Sequence, residues 1–201
     1  MNRTLRLKTL YVALLAGLGL LTWGVLVWLF PGRLWLGALV LVPPLLVPGR
    51  IQGAYFRRLF TARRLLDAGR PAEALEPLRA FIGELQAHPA RNRLLWLGFS
   101  VYTTSAEAMG WNNLGAAHTQ LGEWSAAQDA FERALALDDA YPLPHVNLAR
   151  LALVRGERDT ATRHLATASR LGYDGTKLDQ LLHEAQSLLA RVEGHAAPRP
   201  S

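Results

Sequence analysis

Three observations predict an all-α protein, built as an N-terminal membrane hairpin followed by a stack of helix–turn–helix pairs and a C-terminal capping helix. Small and apolar residues recur in phase across the C-terminal half, at the interval that separates Leu114 from Leu148. Two uncharged apolar runs, 9–30 and 34–49, lie almost back to back near the N-terminus. A final stretch, 176–192, places Leu178, Leu181, Leu182, Ala185, Leu188, Leu189 and Val192 on one helical face.

The first run, TLYVALLAGLGLLTWGVLVWLF, has 22 residues. As a helix it measures about 33 Å, enough for a hydrocarbon core of about 30 Å. A cleaved signal peptide is the competing reading, because Arg3, Arg6 and Lys8 precede it. Signal peptides carry a shorter apolar region followed by small residues, whereas this run ends in Trp28-Leu29-Phe30. The sequence therefore favours an anchor. Pro31-Gly32-Arg33 marks a turn. The second run, LWLGALVLVPPLLVPG, has 16 residues and contains Pro43-Pro44. It is short for a span, about 24 Å, and kinked. Arg33 and Arg50 can extend to headgroups, and Trp28 and Trp35 flank the turn as interfacial aromatics do. Two readings stand: a two-span hairpin, or a second run lying in the interface. Residues 1–50 are thus assigned to a membrane anchor that meets the lipid bilayer through 9–49.

Charge is segregated along the chain. Residues 1–65 hold nine basic groups and no acid, whereas 66–201 hold 13 basic and 16 acidic groups. The net charge of +6 therefore belongs to the part beside the apolar runs. That placement points to lipid headgroups instead of a nucleic-acid partner, which should have the basic charge concentrated on the folded domain; a lipid or nucleic-acid binder rests only on the basic N-terminal third. Basic residues on both flanks of the hairpin put both flanks in the cytoplasm. With only one span, the later helices would lie on the other side. Twenty Arg against two Lys, with abundant Ala, Leu and Gly, points to a bacterium with a GC-rich genome. The expected location is the bacterial inner membrane, multi-pass, with the helical domain cytoplasmic.

Residues 51–193 read as helices throughout. Tyr55, Leu59, Ala62 and Leu66 share a face. Asp67-Ala68-Gly69-Arg70-Pro71 makes a turn, with Pro71 suited to the first turn of the next helix. That helix carries Ala74, Leu75, Leu78, Phe81, Ile82 and Leu85. An insertion follows, with an expected helix over 89–104. Its centre, residues 94–102, is too apolar for an exposed loop. Either it packs on the neighbouring helices, or it rests on the bilayer beside Arg91 and Arg93.

Residues 108–141 form the clearest pair. Trp111, Leu114, Gly115, His118 and Leu121 share a helical face. Gly122 supplies the left-handed backbone of a tight turn. Ala127, Phe131, Ala134 and Leu135 form the stripe of the second helix. The stretch resembles a tetratricopeptide repeat (TPR), whose pattern Trp111, Leu114-Gly115, Ala127 and Phe131 match. His118 replaces the expected Tyr, and the expected Pro arrives late, as Pro142. The shift that carries Leu114 onto Leu148 also carries Gly115, Gly122, Ala127, Phe131 and Ala134 onto Ala149, Gly156, Ala161, Leu165 and Ala168. That shift equals the period of the family, about 34 residues. Gly69, Ala74, Leu78 and Phe81 repeat the turn and second helix further upstream, displaced by more than one period. The repeats are set at 55–87, 108–141 and 142–173. The cap is set at 176–193, since a repeat stack leaves its last apolar face bare. Residues 194–201 read as a disordered tail.

The sequence carries no phosphate-cradling Gly loop, no His-Glu-x-x-His, no Gly-x-Ser-x-Gly and no Cys. The expectation is a non-enzyme with no cofactor and no metal. The His residues look scattered: His118 packed between helices, His145 at a helix start, His164 and His183 on helical surfaces. Asp138-Asp139 reads as turn chemistry. The resemblance implies a protein or peptide partner, because in peptide-binding members of the family an Asn before the repeat Leu faces the concave groove. Asn113 and Asn147 occupy that place in successive repeats. An amide offers one donor side and one acceptor side, matching a peptide unit. The alternative is that each bonds locally between helices. Asn112 lies beside Asn113, and Arg150 follows Asn147 by one helical turn and favours an acidic partner. The implied function is a membrane-anchored interaction module, an adaptor or scaffold. The alternative is a fixed structural subunit of a cell-envelope or secretion assembly.

Overall fold

The computed structural model describes residues 3–32, 50, 53–92, 102–173 and 175–196. Among them the regular structure is entirely helical. We number the helices α1 (Arg3–Leu29), α2 (Arg57–Asp67), α3 (Pro71–Ala87), α4 (Ala106–Gln120), α5 (Trp124–Leu137), α6 (Pro142–Val154), α7 (Arg158–Arg170) and α8 (Leu178–Ala196).

Helix α1 is long and apolar enough to cross a membrane by length and composition, as a signal sequence near an N-terminus also is. Most of its large side chains between Leu10 and Leu29 stand exposed, with Trp28 at 80%, while Val25 and Leu26 are half-buried. The run at 34–49, the second arm of the expected hairpin, lies outside the described residues.

From α2 onward consecutive helices pack as neighbours, and α2 touches α4, α4 touches α6, and α6 touches α8. This is a solenoid-like order: the first helices of successive pairs line one side, the second helices the other. The turns show why the pairs are alike. In α2–α3, α4–α5 and α6–α7 the glycine after the first helix has φ of +70°, +77° and +78° at Gly69, Gly122 and Gly156. In each turn the next residue's N–H reaches back to a carbonyl one helical turn earlier: Arg70 to Leu65 at 2.8 Å, Glu123 to His118 at 2.9 Å, and Glu157 to Ala152 at 2.8 Å. This closure satisfies carbonyls that a helix end would otherwise orphan. Residues 69–81, the most divergent copy, therefore make the same turn as the others.

The repeated small residues lie where helices meet. A Cβ on Gly115 would stand 2.5 Å from Cε1 of Phe131, so α4 and α5 approach through a missing side chain. Ala127, Ala134, Ala149, Ala161 and Ala168 are buried, as are Leu78, Phe81 and Phe131. In α8, Leu181, Ala185 and Leu188 turn inward, and the helix packs chiefly on α6.

Three expectations are corrected. Tyr55 does not share the buried face of Leu59, Ala62 and Leu66. The helix breaks into a turn at Phe56, and Phe56 takes the core position, edge-on to Phe81 at 5.6 Å between centroids. Tyr55 is exposed, beneath the guanidinium of Arg91. At the two ends of the helix expected over 89–104 the backbone is a 3-10 turn at 89–92 and non-helical at 102–105, and the centre of that expected helix lies outside the described residues. Finally, α8 continues through Gly194 to Ala196, where the composition implied a disordered tail; the rest of that tail lies outside the described residues.

Candidate protein-binding interface

The first helices α4, α6 and α8 bring the polar side chains of interest to one side of the stack. Asn147 donates from Nδ2 to Oδ1 of Asn112 at 2.9 Å, crossing from α6 to α4. Arg150 donates from Nη1 to Oδ1 of Asn147 at 2.7 Å, one helical turn away. The same guanidinium donates from Nε and Nη2 to Oε2 of Glu184, at 3.2 and 2.7 Å, crossing from α6 to α8. One hydrogen-bonded chain, Asn112–Asn147–Arg150–Glu184, thus spans three helices. Asn112 is buried at 6% exposure, whereas Asn147, Arg150 and Glu184 are half-buried. Asn113 stands apart from it. Its Nδ2 donates to the carbonyl of Met109 at 2.7 Å, within its own helix. Asn147 therefore meets Asn112 and not Asn113, its counterpart in the repeat.

Glu184 is the member that sequence reasoning missed. It follows Arg150 by one full repeat, just as Asn147 follows Asn113. The repeat period carried into the cap would have found it. The Arg–Glu pair is half-exposed, with side chains at 27% and 37%, so solvent screens it and a surface-like contribution of at most about 1 kcal/mol applies.

Around this face other polar contacts fix the geometry. His118 is buried and its Nδ1 bonds Oε2 of Glu123, closing the α4–α5 turn. Asp138 is buried at the end of α5 and accepts from Oγ1 of Thr103 at 2.6 Å and from the backbone N–H of Thr104 at 3.2 Å. The same carboxylate accepts from the N–H of Ala140 at 3.3 Å, the turn role expected of it. It therefore also ties the end of the insertion to the repeats. Tyr102 in that segment meets Tyr173 edge-on at 5.8 Å. Ser105 caps α4 by accepting from the N–H of Ala108 at 3.1 Å. Trp111 donates to Glu107 and lies under the guanidinium of Arg133, 4.6 Å from the ring centre.

Two of the histidines that look scattered in the sequence meet in space. His145 in the first turn of α6 and His164 in α7 face each other, Nδ1 to Nδ1, at 3.2 Å. Their ring centres are 5.4 Å apart and the planes are tilted by 35°. Burial pushes both pKa values below the ordinary histidine value. For His145 the neighbouring His164 and Arg170 add to the shift, and for His164 the neighbouring Arg163 does.

The tetratricopeptide repeat family model matches residues 108–141. The match supports the TPR family for this stretch, and such a repeat suggests a protein–protein interaction module. No curated protein matches the chain.

Proposed function

We propose that the protein is a membrane-tethered, non-enzymatic interaction module that binds an extended, acidic segment of a partner protein along α4, α6 and α8. The observation that carries the reading is the continuous polar chain from Asn112 to Glu184 across the first helices, with Asn113 beside it. In a repeat stack those helices line the concave side, which offers an extended surface rather than a closed pocket. Asn113 uses one amide hydrogen within its helix; its Oδ1 accepts no bond among the described residues, so it is free to take a peptide N–H. Asn147 and Arg150 present a donor-rich edge. Arg150 is held by Glu184, so an acidic partner would exchange one carboxylate for another. Asn112, buried and bonded, would position Asn147.

The tether is α1, with the run at 34–49 returning the chain to the cytoplasmic face of a bacterial inner membrane. The exposed apolar surface of α1 and the nine basic groups of residues 1–65, a stretch without an acidic residue, support it. A second reading, a fixed subunit of an envelope or secretion assembly, is favoured by the internal bonding of Arg150 and Asn147, which already occupies the groups a transient ligand would use.

A photo-crosslinking side chain placed at 113 in the membrane-embedded protein should capture a partner, and one placed at Glu132 on the second-helix side should not. Capture that is lost in moderate salt and substoichiometric supports the adaptor. A salt-resistant complex of fixed stoichiometry supports the subunit. Equal capture from both positions would reject the face.

A further inference from the structure

His145 and His164 do not take part in the face just described, and their geometry has its own consequence. Each imidazole must be neutral and unprotonated at one nitrogen to bind a metal. Burial, reinforced by Arg163 and Arg170, keeps both rings in that form at neutral pH. Their Nδ1 atoms are 3.2 Å apart. An ion bound to imidazole nitrogens at about 2.0–2.1 Å would see these two at an angle of roughly 100°. That lies between the right angle of a tetragonal copper or nickel site and the tetrahedral angle of zinc. Both rings are half-buried, so one side of such an ion would face water. No third His, Cys, Asp or Glu stands close enough to join them among the described residues.

We propose that His145 and His164 form a two-imidazole site for a divalent transition-metal ion, stapling α6 to α7, with water completing the coordination. Binding replaces the single proton shared between the two Nδ1 atoms. As that proton leaves, the ring that carried it takes one back from solvent at Nε2, so each neutral ring keeps one proton, on Nε2, and no net proton is released. Imidazole nitrogen selects copper, nickel and zinc over magnesium and calcium. The positive charges of Arg163 and Arg170 oppose the ion and limit its affinity, so the site is a modest one. Because the ion bridges two helices that separate on unfolding, it stabilises the folded state alone.

Thermal unfolding of the full chain in detergent tests this. Cu2+ should raise the Tm most, Ni2+ and Zn2+ less, and Mg2+ not at all, with chelator reversing each rise. His145→Gln and His164→Gln should each abolish the rise, while His183→Ala keeps it. Electron paramagnetic resonance of the Cu2+-loaded wild-type protein should show two coordinated imidazole nitrogens, a readout that does not depend on the variants folding. A Tm indifferent to all three ions, a rise that survives either Gln substitution, or a spectrum with one nitrogen or none would overturn the site.

Discussion

Gly115 and Gly156 are both repeat glycines, yet they are required for different reasons. At Gly115 a Cβ meets the ring of Phe131 at 2.5 Å, and that ring is fully buried, so it has nowhere to move. Gly115→Ala should cost about 1–3 kcal/mol by overpacking. At Gly156 a Cβ meets nothing within 4 Å, but φ is +78°, so Gly156→Ala should cost only about 1–2 kcal/mol, from backbone strain alone. Denaturant unfolding with a companion Phe131→Leu change separates the two. The smaller side chain should rescue Gly115→Ala and leave Gly156→Ala unrelieved. At the same scale Glu184 restrains Arg150. Glu184→Gln should release the guanidinium and tighten binding of an acidic peptide several-fold, most at low salt where the charge is least screened. Unchanged or weaker peptide binding on titration would show that Arg150 does not meet the partner.

Helices α6 and α7 form a pair whose stability should depend on pH. The histidines on their facing sides have folded-state pKa values below the unfolded value of about 6.5. The unfolded chain therefore takes up protons first as the pH falls. The stabilisation is fully present above that value and is lost as the pH drops through the depressed folded values. Tm should fall as the pH drops below about 6.5, and His145→Gln should flatten that fall. The segment before α4 is tied to the repeats by Asp138 as well as by the Tyr102–Tyr173 contact. Asp138 accepts from Thr103 and Thr104 while buried. Asp138→Ala would leave those donors without their acceptor, at a cost of about 1–3 kcal/mol. Hydrogen exchange should then rise first at 102–105, ahead of α4 and α5.

For the whole molecule, the segregation of charge and apolar surface makes two parts of opposite surface character. The stack from α2 to α8 buries its apolar residues, whereas α1 presents its own outward. Removing residues 1–50 should yield a helical protein that stays in solution, while the full chain partitions to membranes. Reporter fusions at Ser201 and Gly32 should report opposite compartments if 34–49 spans. A C-terminal reporter active only outside the cytoplasm would leave a single anchor.

The sequence by itself determined what is local and periodic. A helical period of about 3.6 selects the buried face of each helix, so Leu114, Ala127, Phe131, Ala149 and Leu181 were legible as core. Only glycine adopts the left-handed backbone without strain, so the turns at Gly69, Gly122 and Gly156 were legible as turns. The break at Phe56 was not, because no glycine or proline marks it. Tertiary structure alone decided which side chains meet across helices. Neighbouring positions on a helix point about 100° apart, so a small rotation decides whether Asn147 meets Asn112 or Asn113. The same holds for Thr103 with Asp138, 35 residues apart, and His145 with His164, 19 residues apart. Such pairs depend on the angle and depth at which helices cross, quantities set by the packed volumes of the whole stack. Periodicity along one helix does not contain them.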